Sequence, residues 1–217
     1  MSYHSLSPVS SAALELHADF AECVEKLLRS LIADGNFKVQ SVTSRAKDED
    51  SLRSKLERKR EQGVHPAALS LDDLAGARVL LYFKSDMQRI GDLLRREFHI
   101  LAEENVEKHY PRCHQSLGYS ARHFIVSLDD RRRQFAEYRR FRSLRCEVQV
   151  TTVLEHAWAE VEHDLYYKHE ENAYESDLGA LEREFASIVS FIRHSDERID
   201  KLGVLLHGGP GGNRTRV

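Results

Sequence analysis

The sequence predicts an α/β domain. Three observations carry that reading. The run Ala77 to Phe83 is apolar, short and bounded by Gly76 and Asp86, which is how a buried central strand looks. Amphipathic helical periods stand on both sides of it, and further short β-like runs alternate with them.

Residues 10 to 33 predict a helix, because Leu14, Leu16, Phe20, Val24, Leu27, Leu28 and Leu31 recur near helical spacing and Gly35 follows as a stop. A short strand is expected over 37 to 42. A helix over 48 to 62 opens on Asp48, Glu49 and Asp50, which suit the positive end of a helix, and closes at Gly63. After the central strand come a helix over 86 to 97 and strands over 98 to 106 and 121 to 128, with a polar loop over 107 to 120 between those strands. A helix over 131 to 139, a strand over 144 to 150 and a helix over 152 to 168 complete the domain. The final helix, 177 to 202, carries Leu178, Leu181, Phe185, Ile188, Ile192, Ser195, Ile199 and Leu202 in a three-four alternation. Its span of under four heptads favours packing on its own domain, and a homo-oligomer contact is the alternative. The glycine-rich ending, 204 to 217, predicts a disordered tail.

Composition narrows the function. In 217 residues of mean hydropathy -0.52 no apolar run approaches the roughly 18 residues of a spanning helix, so no membrane partner is expected. No signal peptide is expected before the fold, and the widely spaced Cys23, Cys113 and Cys146 fit neither a disulfide framework nor a CxxC zinc site, which points to a reducing cytoplasm. A net charge of -3 argues against a generic nucleic-acid coat. The basic residues are nevertheless clustered, with seven Lys or Arg between Ser41 and Arg60 and seven Arg between Arg131 and Arg145. Either run alone also fits a solvated helix face. Together they suggest a small anionic ligand such as nucleotide phosphates.

Four constellations carry candidate chemistry. Arg45, Lys47, Ser51 and Lys55 place cations and a hydroxyl on one side of a strand exit and the next helix, as a polyphosphate requires. Asp72 and Asp73 precede the buried strand, where a carboxylate can hold Mg2+ or simply cap a turn. Glu147 and Gln149 share one face of a strand, so Glu147 can supply a second carboxylate for the metal or a base for a hydroxyl nucleophile. Gly118, Tyr119 and His123 close the polar loop, with Tyr119 offering a flat face to a base and His123 a donor to phosphate or ribose.

The order and spacing of the four sets, with Trp158-Ala159 and the run His163 to Lys168, resemble the synthetase domain of the RelA/SpoT family of alarmone synthetases. The resemblance implies a nucleotidyltransferase-like mixed sheet over 37 to 170, an N-terminal helix (1 to 36) packed on it and a C-terminal helix (171 to 203), as in a small stand-alone synthetase without the hydrolase domain. It implies pyrophosphate transfer from ATP to the 3′ hydroxyl of GDP or GTP. By position, Arg45, Lys47, Ser51, Lys55 and Arg78 fall on the ATP-binding residues, with Arg45 and Arg78 on the pair that sandwiches adenine. Asp73 and Glu147 fall on the Mg2+ ligands, Glu147 also on the carboxylate serving the attacking hydroxyl, and Tyr119, His123 and Gln149 on the acceptor side. The acceptor half departs from the family pattern: Gln115, Leu117, Ala121 and Arg122 surround Gly118, Tyr119 and His123, and Thr151 stands where an Arg is frequent. Those departures keep tRNA or an adenosine nucleotide as alternative acceptors, the first favoured by the Arg131 to Arg145 cluster. His156, Glu160 and His163 share a helix face that suits zinc, but no cysteine pair closes such a site.

Overall fold

The computed structural model describes residues 10–35, 37–47, 52, 73–107, 120–170 and 175–207. Helix α1 (Ser11–Asp34) leads into strand β1 (Val39–Ala46). Then follow β2 (Ala75–Leu81), α2 (Asp86–Glu97), β3 (Phe98–Glu107), β4 (Ser120–Leu128), two short 3-10 turns, β5 (Cys146–Thr152), α3 (Val153–Glu170) and α4 (Glu175–His207). The strands form one mixed sheet in the order β1-β2-β5-β4-β3, with β2 and β5 parallel and the other pairs antiparallel.

Alternation along the central strands divides the sheet into two faces. Ala77, Val79 and Leu81 of β2, Val148 and Val150 of β5, and Phe124 and Val126 of β4 point to a closed face. There they pack on Phe20, Val24 and Leu28 of α1 and Ile90, Leu93 and Leu94 of α2, all essentially buried. At about 1.5–3 kcal/mol for each large apolar side chain buried, this layer is the main source of stability. Helix α1 is capped by the Ser10 hydroxyl, which accepts from Ala13 N at 3.3 Å, and ends at Gly35 as the sequence predicts. The opposite faces of the same strands carry Gly76 and Arg78, Glu147 and Gln149, and His123, which leaves a polar surface on the second side of the sheet.

Helix α4 lies against α3 through Trp158 and Phe185, whose rings meet edge to face at 5.4 Å, with Ala186 and Val189 beside them. The seam read from the sequence is divided. Leu181, Phe185 and Ile192 face α3, whereas Ile188, Ile199 and Leu202 are exposed. Two buried carboxylates brace this junction. Glu155 accepts from Ser120 N at 3.2 Å and lies 3.5 Å from Arg193 Nε, while Asp196 accepts from the Thr152 hydroxyl, which itself accepts from Glu155 N at 3.2 Å. Burial raises the pKa of both acids. For Asp196 this means that the folded state keeps a proton which the unfolded chain releases above its ordinary value of 3.8, so stability falls as pH rises from there through the folded pKa. Asp196→Asn keeps an acceptor for Thr152 and removes the buried charge. Thermal melts should therefore show the variant more stable than the parent by a few degrees at pH 8, with the gap closing towards pH 4; a variant less stable at pH 8 would contradict the account.

Four elements differ clearly from the sequence reading. Strand β1 runs to Ala46 rather than stopping at 42, because its polar half pairs with β2 in the register Thr43↔Arg78 and Arg45↔Gly76. The central strand begins at Ala75 and ends at Leu81, leaving Tyr82 half exposed outside the sheet. The helix expected over 131 to 139 is replaced by 3-10 turns at Arg132–Gln134 and Ala136–Phe141, separated by an extended Phe135. Side-chain ties explain that break: Arg132 binds the Glu97 carboxylate and backbone, Arg140 binds Asp19, and Phe141 is drawn into the core against Phe20. The last helix reaches His207, beyond the predicted 202, so residues 204 to 207 of the tail expected over 204 to 217 are helical; the remainder of that tail and the expected helix over 48 to 62, apart from the buried Leu52, lie outside the described residues.

Candidate active site

A cleft of about 430 Å³ opens on the polar face of the sheet, lined by Thr43, Ser44, Arg45, Lys47, Asp73, Gly76, Ala77, Arg78, Glu147 and Gln149. Its position follows from strand register. Gly76 stands between Arg45 on β1 and Glu147 on β5, and Arg78 between Thr43 and Gln149. Residues up to 106 positions apart in sequence, Thr43 and Gln149, thus line one cleft because β2 pairs with both neighbours. At the end of β1 the chain is pinned by Lys47 N donating to Leu74 O at 3.1 Å, which brings Lys47 Nζ to 2.7 Å from Asp73 Oδ2. Gly76 forms the floor. A Cβ there would lie 3.2 Å from the Arg45 carbonyl oxygen and would crowd β1 against β2.

Glu147 is held at both oxygens. His123 Nδ1 lies 3.0 Å from Oε1, and Gln149 Nε2 donates to Oε2 at 3.0 Å. The His123 hydrogen bond holds the carboxyl below its ordinary 4.5, outweighing burial and the opposing charge of Asp73. At neutral pH Glu147 is therefore a carboxylate. Arg78 is held at two of its nitrogens. Its Nε lies 3.4 Å from Gln149 Oε1, and its Nη1 lies 3.1 Å from His156 Nε2 and 3.4 Å from Glu160 Oε1 on α3.

Arg45, Lys47, Asp73, Arg78, Glu147 and Gln149, singled out in the sequence, line one cleft, and His123 joins them through Glu147. Ser51, Lys55 and Tyr119 lie outside the described residues. His156 and Glu160, read above only as zinc candidates, contact Arg78 instead; among the described residues no three His, Cys, Asp or Glu side chains are grouped to hold a metal. Their spacing of four on one helix was the available signal for joint action, but the partner on β2 was not visible from it. The departure at position 151 has a structural role, since the buried Thr151 hydroxyl donates to Ser120 O at 3.2 Å and ties β5 to the start of β4. In the arginine cluster, Arg132, Arg133, Arg140 and Arg142 are engaged by Glu97, Ser127, Asp19 and the Arg133 carbonyl respectively.

Cations and carboxylates gathered on the open face of a mixed five-stranded sheet define a class of α/β protein equipped for phosphate chemistry. Residues 44–172 match the family described as a region found in RelA / SpoT proteins, and the chain belongs to that family. Among curated relatives, GTP pyrophosphokinase YwaC of Bacillus subtilis is 26% identical over 140 residues, 62% of this chain and 61% of the relative. GTP pyrophosphokinase YjbM of the same organism is 28% identical over 152 residues, 69% of this chain and 67% of the relative. The chain thus spans less than two thirds of the first relative's length. The fold matches a crystal structure of small alarmone synthetase 1 from Bacillus subtilis with a TM-score of 0.68 at 20% identity, covering 90% of this chain and 96% of the other. A second structure of that synthetase, bound to its product pppGpp, matches with a TM-score of 0.63 at 22% identity over 87% and 93%. The fold and family expected from the ordered motifs are those found.

Proposed function

We propose that this chain transfers pyrophosphate from ATP to the 3′ hydroxyl of GDP or GTP, giving a guanosine alarmone. The observation that carries the reading is the cleft itself, in which Arg45, Lys47 and Arg78 converge with Asp73 and Glu147 on one sheet face. That the curated relatives are GTP pyrophosphokinases, and that a structural neighbour holds pppGpp, supports guanosine as the acceptor. In this reading Arg45 and Lys47, with Ser51 and Lys55 from the following segment, neutralise the donor polyphosphate, and Arg78 presents a flat cation to the adenine. Glu147 accepts the proton of the attacking 3′ hydroxyl, held for that task by His123 and Gln149. Tyr119 would stack on the acceptor base.

The donor set fits Mg2+. Asp73 and Glu147 are close enough for the charge of one to act on the other, and Mg2+ favours one or two carboxylates with the remaining positions filled by phosphate oxygens and water. When bound, the ion would offset charge on the phosphate oxygens during transfer. The chain's own contribution is mainly positioning, because phosphoryl-type transfer needs little covalent help from the protein.

β-labelled ATP supplied with Mg2+ and, separately, GDP, GTP, ATP or bulk tRNA tests this directly. Label should appear in a 3′-pyrophosphorylated guanosine nucleotide with release of AMP. Label found in tRNA alone would replace the acceptor assignment, and no AMP formation with any acceptor would end the proposal.

A further inference from the structure

We propose that His156 and Glu160 are positioning residues, which hold the Arg78 guanidinium over the cleft in the orientation that receives the donor nucleotide. The inference rests on the proposed use of the cleft by ATP. It begins from hydrogen-bond direction. A guanidinium can only donate, so the 3.1 Å contact between Arg78 Nη1 and His156 Nε2 requires a lone pair on Nε2. The ring hydrogen is therefore on Nδ1, which lies 3.7 Å from Glu160 Oε1. His156 is thus neutral and set in one tautomer, and Glu160 serves both the ring and Arg78 Nη1.

The tether is asymmetric in a way that matters. Gln149, on the sheet, holds Nε at 3.4 Å, while His156 and Glu160, on α3, hold Nη1. Two anchor points from different elements fix the guanidinium plane as well as its position. A planar cation that meets a flat base or a phosphate pair needs both. Glu160 is largely exposed, with 66% of its side chain accessible, so it cannot fix Arg78 unaided; His156, at 19%, is the enclosed member.

A consequence in pH follows from the same geometry. Arg78 from β2 and Glu160 on the same helix are the charged groups acting on the ring, and Gln149 from β5 is neutral. Burial, with Arg78 adding to it, holds the His156 pKa below the ordinary 6.5. Protonation would set two donors against each other at the Nη1 contact and release Arg78. The arrangement is thus kept at neutral pH and lost as pH falls through the His156 pKa.

The test measures affinity for the non-hydrolysable ATP analogue AMPCPP by calorimetry, with KM for ATP and kcat alongside, in the full chain. His156→Ala should raise both Kd and KM by about tenfold, equivalent to one lost interaction of about 1.4 kcal/mol, with kcat within about twofold of the parent. His156→Gln supplies a neutral acceptor and should restore Kd to within about threefold, without the parent's loss of affinity at acid pH. In an Arg78→Ala background His156→Ala should add nothing further. Unchanged Kd in His156→Ala, equal damage from the Gln and Ala variants, or a full additive loss in the double variant would each overturn the positioning role. Failure of the activity reading is distinguishable: a parent that binds AMPCPP but labels no acceptor leaves this inference standing, whereas a parent that does not bind AMPCPP removes both.

Discussion

In the proposed reaction, Asp73→Ala should lower the rate of pyrophosphate transfer by about 10³-fold, the scale seen when one preorganised charge-stabilising group is removed, while leaving the protein folded. Asp73 stands at the mouth of β2, where its Oδ2 is 2.7 Å from Lys47 Nζ and its charge reaches Glu147. Two effects are expected from its loss. On the proposed roles a divalent ion would lose one of two carboxylates, and Lys47 would lose its partner at 2.7 Å. The fold should survive its loss, because the Lys47–Asp73 pair sits at the cleft rather than in the apolar layer beneath the sheet. Circular dichroism should therefore be unchanged. The concentration of Mg2+ needed for half-maximal rate should rise at the same time, which separates loss of a metal ligand from loss of the ion pair. Lys47→Ala, which removes the pair and spares the carboxylate, should leave that Mg2+ requirement near the parent's. AMP release from Asp73→Ala at the parental rate would place the chemistry elsewhere.

The sheet was legible because its central strands are apolar on the buried side, and a run such as Ala77 to Phe83 has few alternatives. Helix α2 was legible as well. Its first residue, Asp86, read in the sequence only as the bound of the central strand, accepts from Lys38 N at 3.2 Å and pairs with Arg89, which ties the helix start to the entry of β1. Strand β1 was only half legible, since Thr43, Ser44 and Arg45 carry no apolar signal and are held by pairing with β2 and by Glu25 of α1, which accepts from Ser44 N at 2.7 Å. The residues at 131 to 139 have helical composition, yet contacts distant in sequence decide their shape; Arg132 reaches Glu97 and Arg140 reaches Asp19. The same limit applies at the site. Spacing along one element could nominate Glu147 and Gln149 as a pair, but the meeting of Arg78 with His156, 78 positions away, is a product of the β2–β5 pairing and the angle of α3. Motif order carried most of the site because family resemblance summarises such long-range geometry; it was silent on His156 and Glu160, which belong to none of the four motifs.

Glu147→Gln is expected to cost about 10²- to 10⁴-fold in kcat, the range for removal of a positioned general base, with little change in KM for ATP. The carboxylate accepts at both oxygens, from His123 Nδ1 and Gln149 Nε2, each at 3.0 Å. A glutamine of the same shape cannot do so. One of its ends is a donor, so either Gln149 must turn away or His123 must change tautomer. The variant therefore tests charge and proton acceptance more than volume, and activity within threefold of the parent would remove Glu147 from the chemistry. His123→Ala makes the complementary test through pH. The His123 hydrogen bond is the largest influence holding Glu147 below 4.5, so its loss should raise the folded-state pKa of this carboxyl. On the proposed role of Glu147 as base the ionised form is the active one, so the acid limb of kcat should move to higher pH in His123→Ala, towards or past that ordinary value. An acid limb that stays in place while the rate falls uniformly would mean that His123 serves the acceptor directly and does not tune Glu147.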